Sequence, residues 1–183
     1  MGISAQDVKK LRDMTAAPMM DCKRALQEAD GDMEKARVVL RERGLAKAKK
    51  KGGRTAAEGV ICSYIHGNDK LGVMVEMRCE TDFVARNEEF QNLGREIAMQ
   101  VAAMEPQYVS PDEVPEEVVE AERAIYRTEV QDKPENIQDQ IIEGKLGKFY
   151  EQICLLKQPY VRDDKRKVEE IITDAIGKIG ENI

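Results

Sequence analysis

Apolar positions set the first elements of the chain. Val8, Leu11 and Met14 recur at helical spacing behind Ser4, and Ser4 with Asp7 makes a variant capping box, so the pattern predicts a helix over about residues 4–14. Pro18 suits the first turn of a second helix, where its missing N–H is no loss, and Asp30-Gly31 reads as the turn that ends it. Asp32 is placed to cap a third helix that turns Ala36, Val39 and Leu40 inward, with Gly44 expected as its C-terminal stop. These three short helices make a small bundle.

The period then changes from helical to alternating. Val60, Cys62 and Tyr64 share one face of a strand over 60–66, and Leu71, Val73, Val75 and Met77 share one face of a second over 71–79. The turn-rich Gly67-Asn68-Asp69-Lys70 between them predicts an antiparallel hairpin, with His66 packed or at its edge. A long helix is expected from Thr81 or Asp82, either of which can cap it, with Phe83, Phe90, Leu93, Ile97, Val101 and Met104 on one stripe. By that periodicity alone Phe83 belongs to the core. Pro106, Pro111 and Pro115 break the chain before an acidic helix from about 115. After Pro134, Ile137, Ile141, Leu146, Phe149, Ile153 and Leu156 predict a further helix, weakened in its middle by Gly144 and Gly147. Gln158 to Val161 reads as extended, and Val168, Ile171, Ile172, Ala175 and Ile179 predict a last helix that stops at Gly180.

Lys47 to Arg54 is a basic stretch ending in paired glycines, the composition of a solvated helix end running into a linker. A boundary there divides the chain into a three-helix head, residues 1–54, and a core, residues 55–183. The fold class is α+β: a helical head joined to a core of antiparallel β-hairpin and packed helices.

Composition narrows the chemistry. With 42% hydrophobic and 35% charged residues in a chain of 183, the protein is expected to fold. No apolar run approaches the ~20 residues needed to cross a bilayer, and Met1-Gly2-Ile3-Ser4 has no basic or apolar leader character, so a cytoplasmic protein without membrane contact is expected. Cys22, Cys62, Cys79 and Cys154 lie far apart and form no C-x-x-C pair, which argues for reduced, packed thiols rather than a zinc or redox site. His66 is the only histidine. One histidine and no clustered carboxylate pattern make a histidine-based nucleophilic or metal site hard to assemble, while a carboxylate-only or lysine-based site stays open; no catalytic residue, metal site or cofactor is assigned. The net charge of -6 hides an asymmetry: residues 1–54 hold 14 basic against 8 acidic side chains, the remainder 15 against 27. Such a basic head on an acidic body can steer a partner of opposite sign. The lysine run could neutralise phosphates, but no aromatic residues interleave with it to stack on bases, and direct nucleic-acid binding is not expected.

Three stretches, in order, resemble the elongation factor Ts family over nearly the whole chain. They are Thr15-Ala16-Ala17-Pro18-Met19-Met20-Asp21-Cys22-Lys23-Arg24-Ala25-Leu26, Cys79-Glu80-Thr81-Asp82-Phe83-Val84-Ala85-Arg86-Asn87-Glu88-Glu89-Phe90, and Leu155-Leu156-Lys157-Gln158-Pro159-Tyr160-Val161. Ala16 and Pro18 stand where the family usually has glycines, and many members continue past the position of Ile183 with a basic and aromatic strand.

The resemblance implies a non-enzymatic guanine-nucleotide exchange factor for the translational GTPase EF-Tu, acting in translation elongation. It implies that the head is a ubiquitin-associated-like domain docking on the GTPase domain through Arg12, Met19 and Met20. It further implies that Thr81, Asp82, Phe83 and Val84 disturb the magnesium and phosphate site and so promote GDP release. EF-Tu, GDP-bound or nucleotide-free, is the implied partner, and the likeness of short members to half of the longer ones allows a homodimer. Adjacent methionines cannot both face one core, so at least one is expected at the surface, where flexible thioethers make adaptable contacts. Two other classes compete. An enzyme would use Cys79, Glu80 and Asp82, with no base beside the thiol; a ubiquitin-like or RNA-binding adaptor would use the head and the lysine run, leaving Thr81 to Val84 without a task.

Overall fold

The computed structural model describes residues 3–15, 17–67 and 69–183. Met1 and Gly2 at the chain start, Ala16 of the family-like head stretch and Asn68 of the expected hairpin turn lie outside the described residues. The fold is α+β, with eight α-helices and two two-stranded hairpins among the described residues. None of these helices is long and apolar enough to cross a membrane. Two compact units form, one from residues 1–62, 74–95 and 170–183, the other from 63–73 and 96–169.

The head of the first unit holds α1 (Ala5–Thr15), α2 (Met19–Glu28) and α3 (Met33–Lys51). Ser4 Oγ accepts from the Asp7 amide at 3.1 Å and donates to the Asp7 carboxylate at 2.6 Å, which closes the N-terminus of α1 as the capping pattern requires. Pro18 sits one place earlier than expected, at the N-cap of α2. Asp30 and Gly31 turn the chain with φ of 50° and 85°, the left-handed conformation glycine adopts without cost. Asp32 then caps α3, its Oδ1 accepting from the amides of Glu34 and Lys35 at 2.9 and 3.0 Å. Val8, Leu11, Cys22, Ala25, Leu26 and Ala36 form the buried centre of this bundle, with Val39 and Leu40 packed against it. Each fully buried Leu contributes about 1.5 to 3 kcal/mol.

Gly44 does not end the third helix. α3 runs through it to Lys51 and ends at Gly52. The close approach here depends on Gly177 of α8 (Val168–Ile179) instead: a Cβ on it would lie 3.1 Å from the Gly44 Cα, whereas a Cβ on Gly44 would meet nothing within 4 Å. An ion pair and a charged hydrogen bond flank the contact. Arg41 of α3 pairs with Glu170 of α8, and Lys51 Nζ donates to the Gly180 carbonyl.

β1 (Glu58–Ile65) pairs with β2 (Gly72–Cys79), and burial alternates along both as expected, with Cys62, Met77 and Cys79 inside. His66 follows β1, exposed, with a Nδ1 contact of 3.1 Å to the Tyr64 hydroxyl. The single long helix expected after the hairpin is in fact two. α4 (Asp82–Ala85) is one turn, and α5 (Glu88–Met104) restarts behind Asn87, whose Oδ1 accepts from the Glu89 amide at 2.8 Å. The break takes Phe83 off the apolar stripe; Phe90, Leu93 and Ile97 stay on it and are buried.

In the second unit α6 (Glu116–Glu129) and α7 (Glu135–Ile153) begin behind Pro115 and Pro134 and pack through Val119, Val130, Ile142, Leu146 and Phe149. Gly144 and Gly147 do not interrupt α7. A short 3₁₀ turn at Leu155–Lys157 takes Leu156 off this helix. It leads into β3 (Pro159–Tyr160), which pairs antiparallel with β4 (Asp163–Lys167). Gln158, fully buried, organises this corner: its Nε2 donates to the carbonyls of Met104 and Gln152, and its Oε1 accepts from the equally buried Gln100 at 3.2 Å. Gln100 also accepts from the Val161 amide and donates to the Pro159 carbonyl, so the pair is satisfied internally, as buried amides must be.

Candidate functional site

The residues from Thr81 to Val84 occupy the one-turn helix that follows β2. Thr81 stands at its N-cap, and its Oγ1 accepts from the Val84 amide at 3.4 Å. Ala85 is buried, and its carbonyl accepts from Gln91 Nε2 at 3.2 Å, which pins the inner side of the turn to α5. The outer side carries Phe83, 82% exposed. Asp82 pairs with Arg86 at 2.9 Å along the same surface. Exposed pairs of this kind contribute about 0 to 1 kcal/mol, so this one holds the turn only weakly.

The C-terminal segment reaches the same turn. Beyond α8, Gly180 takes φ of 87° and redirects the chain. Glu181 Oε2 then accepts from the amides of Glu80 and Thr81, each at 3.0 Å, and its Oε1 accepts from Thr81 Oγ1 at 2.6 Å. The Asn182 amide donates to Glu80 Oε1 at 2.7 Å and its side chain donates to the Arg54 carbonyl at 2.8 Å. That amide, with the Arg54 guanidinium at 3.3 Å, holds the Glu80 carboxyl below its ordinary value. The sequence offered one weak signal for this clamp, an acidic residue directly after a helix-ending glycine.

Cys79, at the head of the segment, is packed away from solvent. Its side chain is fully buried, its thiol donates to the Thr81 carbonyl at 3.2 Å, and burial, then the Glu181 charge, push it above the ordinary thiol value. A thiol held protonated is inert. All four cysteines are free and buried, and burial raises each of them.

Arg12, Met19 and Met20 lie on α1 and α2, separate elements from the Thr81 turn. Both methionines face outward, Met19 at 44% and Met20 at 57%; Met14 and Arg12 on α1 are exposed as well. The surface expected to hold at least one methionine holds both.

The profile of the Elongation factor TS family matches residues 4–183. The chain belongs to the elongation factor Ts family. The elongation factor Ts of Thermotoga maritima is 56% identical over 183 residues, all of this chain and 92% of that protein. That of Thermosipho melanesiensis is 58% identical over 99% of this chain and 93% of its own length, and that of Coprothermobacter proteolyticus 55% identical over 100% and 94%. As a member of the elongation factor Ts family the chain is a translation elongation factor. Of the three stretches that carried the likeness, one begins at the last residue of α1 and supplies most of α2. Another wraps from β2 through the Thr81 turn into α5, and the last forms the Gln158 corner of the second unit.

Proposed function

We propose that the chain is a guanine-nucleotide exchange factor for EF-Tu and that Thr81, Asp82, Phe83 and Val84 are its nucleotide-releasing element. The observation that carries this reading is Phe83: a phenyl ring 82% exposed on a turn tied down on its other side. Leaving a large apolar ring in water forgoes about 1.5 to 3 kcal/mol of burial, which contact with a partner recovers. Magnesium in a P-loop GTPase bridges phosphate oxygens and protein ligands, so a wedge that displaces their support weakens nucleotide binding without breaking a covalent bond. Exchange is then a coupling free energy. The factor binds empty EF-Tu more tightly than GDP-bound EF-Tu, and nucleotide weakens the factor by the same ratio, so arriving GTP ejects it.

In this reading the head, residues 1–54, docks on EF-Tu through Arg12, Met19 and Met20 and supplies affinity, while residues 55–183 supply exchange, in the cytoplasm. The reading is supported by two adjacent exposed methionines, which adapt to a partner's surface, and by the basic charge of the head. Release of a fluorescent GDP from EF-Tu, followed by stopped flow at saturating factor, tests it. Phe83→Ala should slow release about tenfold or more while stability changes by less than about 0.5 kcal/mol, since the ring is exposed. A stability loss of about 3 to 5 kcal/mol with unchanged release per folded molecule would return Phe83 to a packing role.

A further inference from the structure

We infer that Glu181 is a positioning residue for the Thr81 turn, holding Phe83 at the angle at which it meets its partner. The inference rests on the proposed reading of Thr81 to Val84 as the releasing element.

A helix of four residues cannot hold itself. Forming one hydrogen-bonded turn fixes three residues for a single bond, so an isolated turn is unfavourable in water and needs outside ties. The inner tie is Ala85, buried and bonded through its carbonyl to Gln91. At the N-terminal side the amides of Glu80 and Thr81 and the Thr81 hydroxyl, three donors in succession, converge on one carboxylate, that of Glu181. Hydrogen bonds to an ionised acceptor are about twice as strong as neutral ones, and two backbone donors on one oxygen fix a direction as well as a distance. The hydroxyl bond adds a second constraint, because the same Thr81 Oγ1 accepts from the Val84 amide. Glu181 therefore orients the cap that orients the turn.

The carboxylate is itself held by the fold. Gly180, left-handed, swings Glu181 toward the turn, and its carbonyl is bound by Lys51 at the end of α3. The Gly44–Gly177 approach sets the height of α8 on α3, and Lys178 pairs with Glu89 at the start of α5. The arrangement runs from the head helix through α8 to the turn that presents Phe83. Each of these contacts bears on where the ring stands.

The test uses the full chain with Glu181→Ala, Glu181→Gln and Phe83→Ala. Three readouts are taken: GDP release from EF-Tu against factor concentration, amide hydrogen exchange over residues 80–84 of the free factor, and thermal stability. Glu181→Ala should lower the saturating release rate about tenfold, the size expected for losing charge-assisted bonds, with the half-saturating concentration unchanged. The amides of Glu80 and Thr81 should exchange faster. Glu181→Gln keeps one acceptor oxygen for the backbone and can donate to Thr81 Oγ1, so it should restore most of the rate. Unchanged release and unchanged exchange in Glu181→Ala, beside slowed release in Phe83→Ala, would overturn the positioning role and leave the releasing element standing. Unslowed release in Phe83→Ala would overturn that element, and the positioning role with it. A fall in rate that only tracks the folded fraction of Glu181→Ala also overturns the positioning role.

Discussion

Gly94 on α5 is where Cys62 of β1 and Met77 of β2 seat on the helix, and it allows a sharp test of that packing. A Cβ at Gly94 would lie 2.3 Å from Cys62 Sγ, 3.1 Å from Cys62 Cβ and 3.3 Å from Met77 Cγ. Carbon contacts are comfortable at about 3.5 to 4 Å, so Gly94→Ala overlaps the sulfur by more than an ångström. Cys62 and Met77 are both buried and cannot swing into solvent. Overpacking of this kind costs about 1 to 3 kcal/mol, and the helix gains about 1 kcal/mol from alanine over glycine. With the overlap at the severe end, a net loss of about 2 kcal/mol is expected, which for a chain of this size lowers the melting temperature by about 4 to 8 °C. Cys62→Ala removes the clashing sulfur and alone costs about 1 kcal/mol. In the double variant the new methyl occupies the vacated space. The cycle should therefore show at least about 1 kcal/mol of favourable coupling, within the range seen for residues in contact. Urea unfolding, read as a midpoint shift at constant slope, measures all four proteins. Additive losses, or a Gly94→Ala protein as stable as the parent, would refute the close approach of α5 to β1.

The glycine pair between α3 and α8 should respond with opposite signs. Gly44→Ala points into open space in a regular helix and should gain up to about 1 kcal/mol, whereas Gly177→Leu drives into the Gly44 backbone and should lose about 2 to 3 kcal/mol, both read from urea midpoints. Tyr160 should make the second unit sensitive to alkali. Burial, then the Glu96 carboxylate that accepts its hydroxyl at 2.8 Å, push it up to about 12. An acid whose folded value is raised contributes stability that is full below its unfolded value near 10 and is lost as pH rises through the folded one. Between about pH 10 and 12 stability should fall by at most about 1.4 kcal/mol per pH unit from this group, a slope that Tyr160→Phe should lack in urea titrations at stepped pH.

Much of the architecture was legible because it depends on local rules. Ser4 and Asp32 act as caps, Asp30-Gly31 and Gly180 as left-handed turns, and the alternation of Val60 to Tyr64 and Val73 to Cys79 as a hairpin; each follows from neighbours within a few residues. The family, too, was readable from three short stretches.

What tertiary structure alone decided are the cases in which a residue answers to something far along the chain. Gly44 looks like a stop, but α3 continues through it, and it is Gly177, 133 positions later, that must stay without a side chain where it meets the Gly44 backbone. β4 is Asp163-Asp164-Lys165-Arg166-Lys167, charged throughout, so no alternation could announce it; it is a strand because β3 supplies its partner. Phe83 repeats at seven residues from Phe90 and so reads as core, yet the Asn87 cap breaks the helix between them and rotates the ring into solvent. The partners of Glu181 lie far along the chain. Its carboxylate matters only because the fold returns the end of α8 to the amides of Glu80 and Thr81, about a hundred residues earlier in the chain, and hydrogen bonds over such separations leave no period in a sequence.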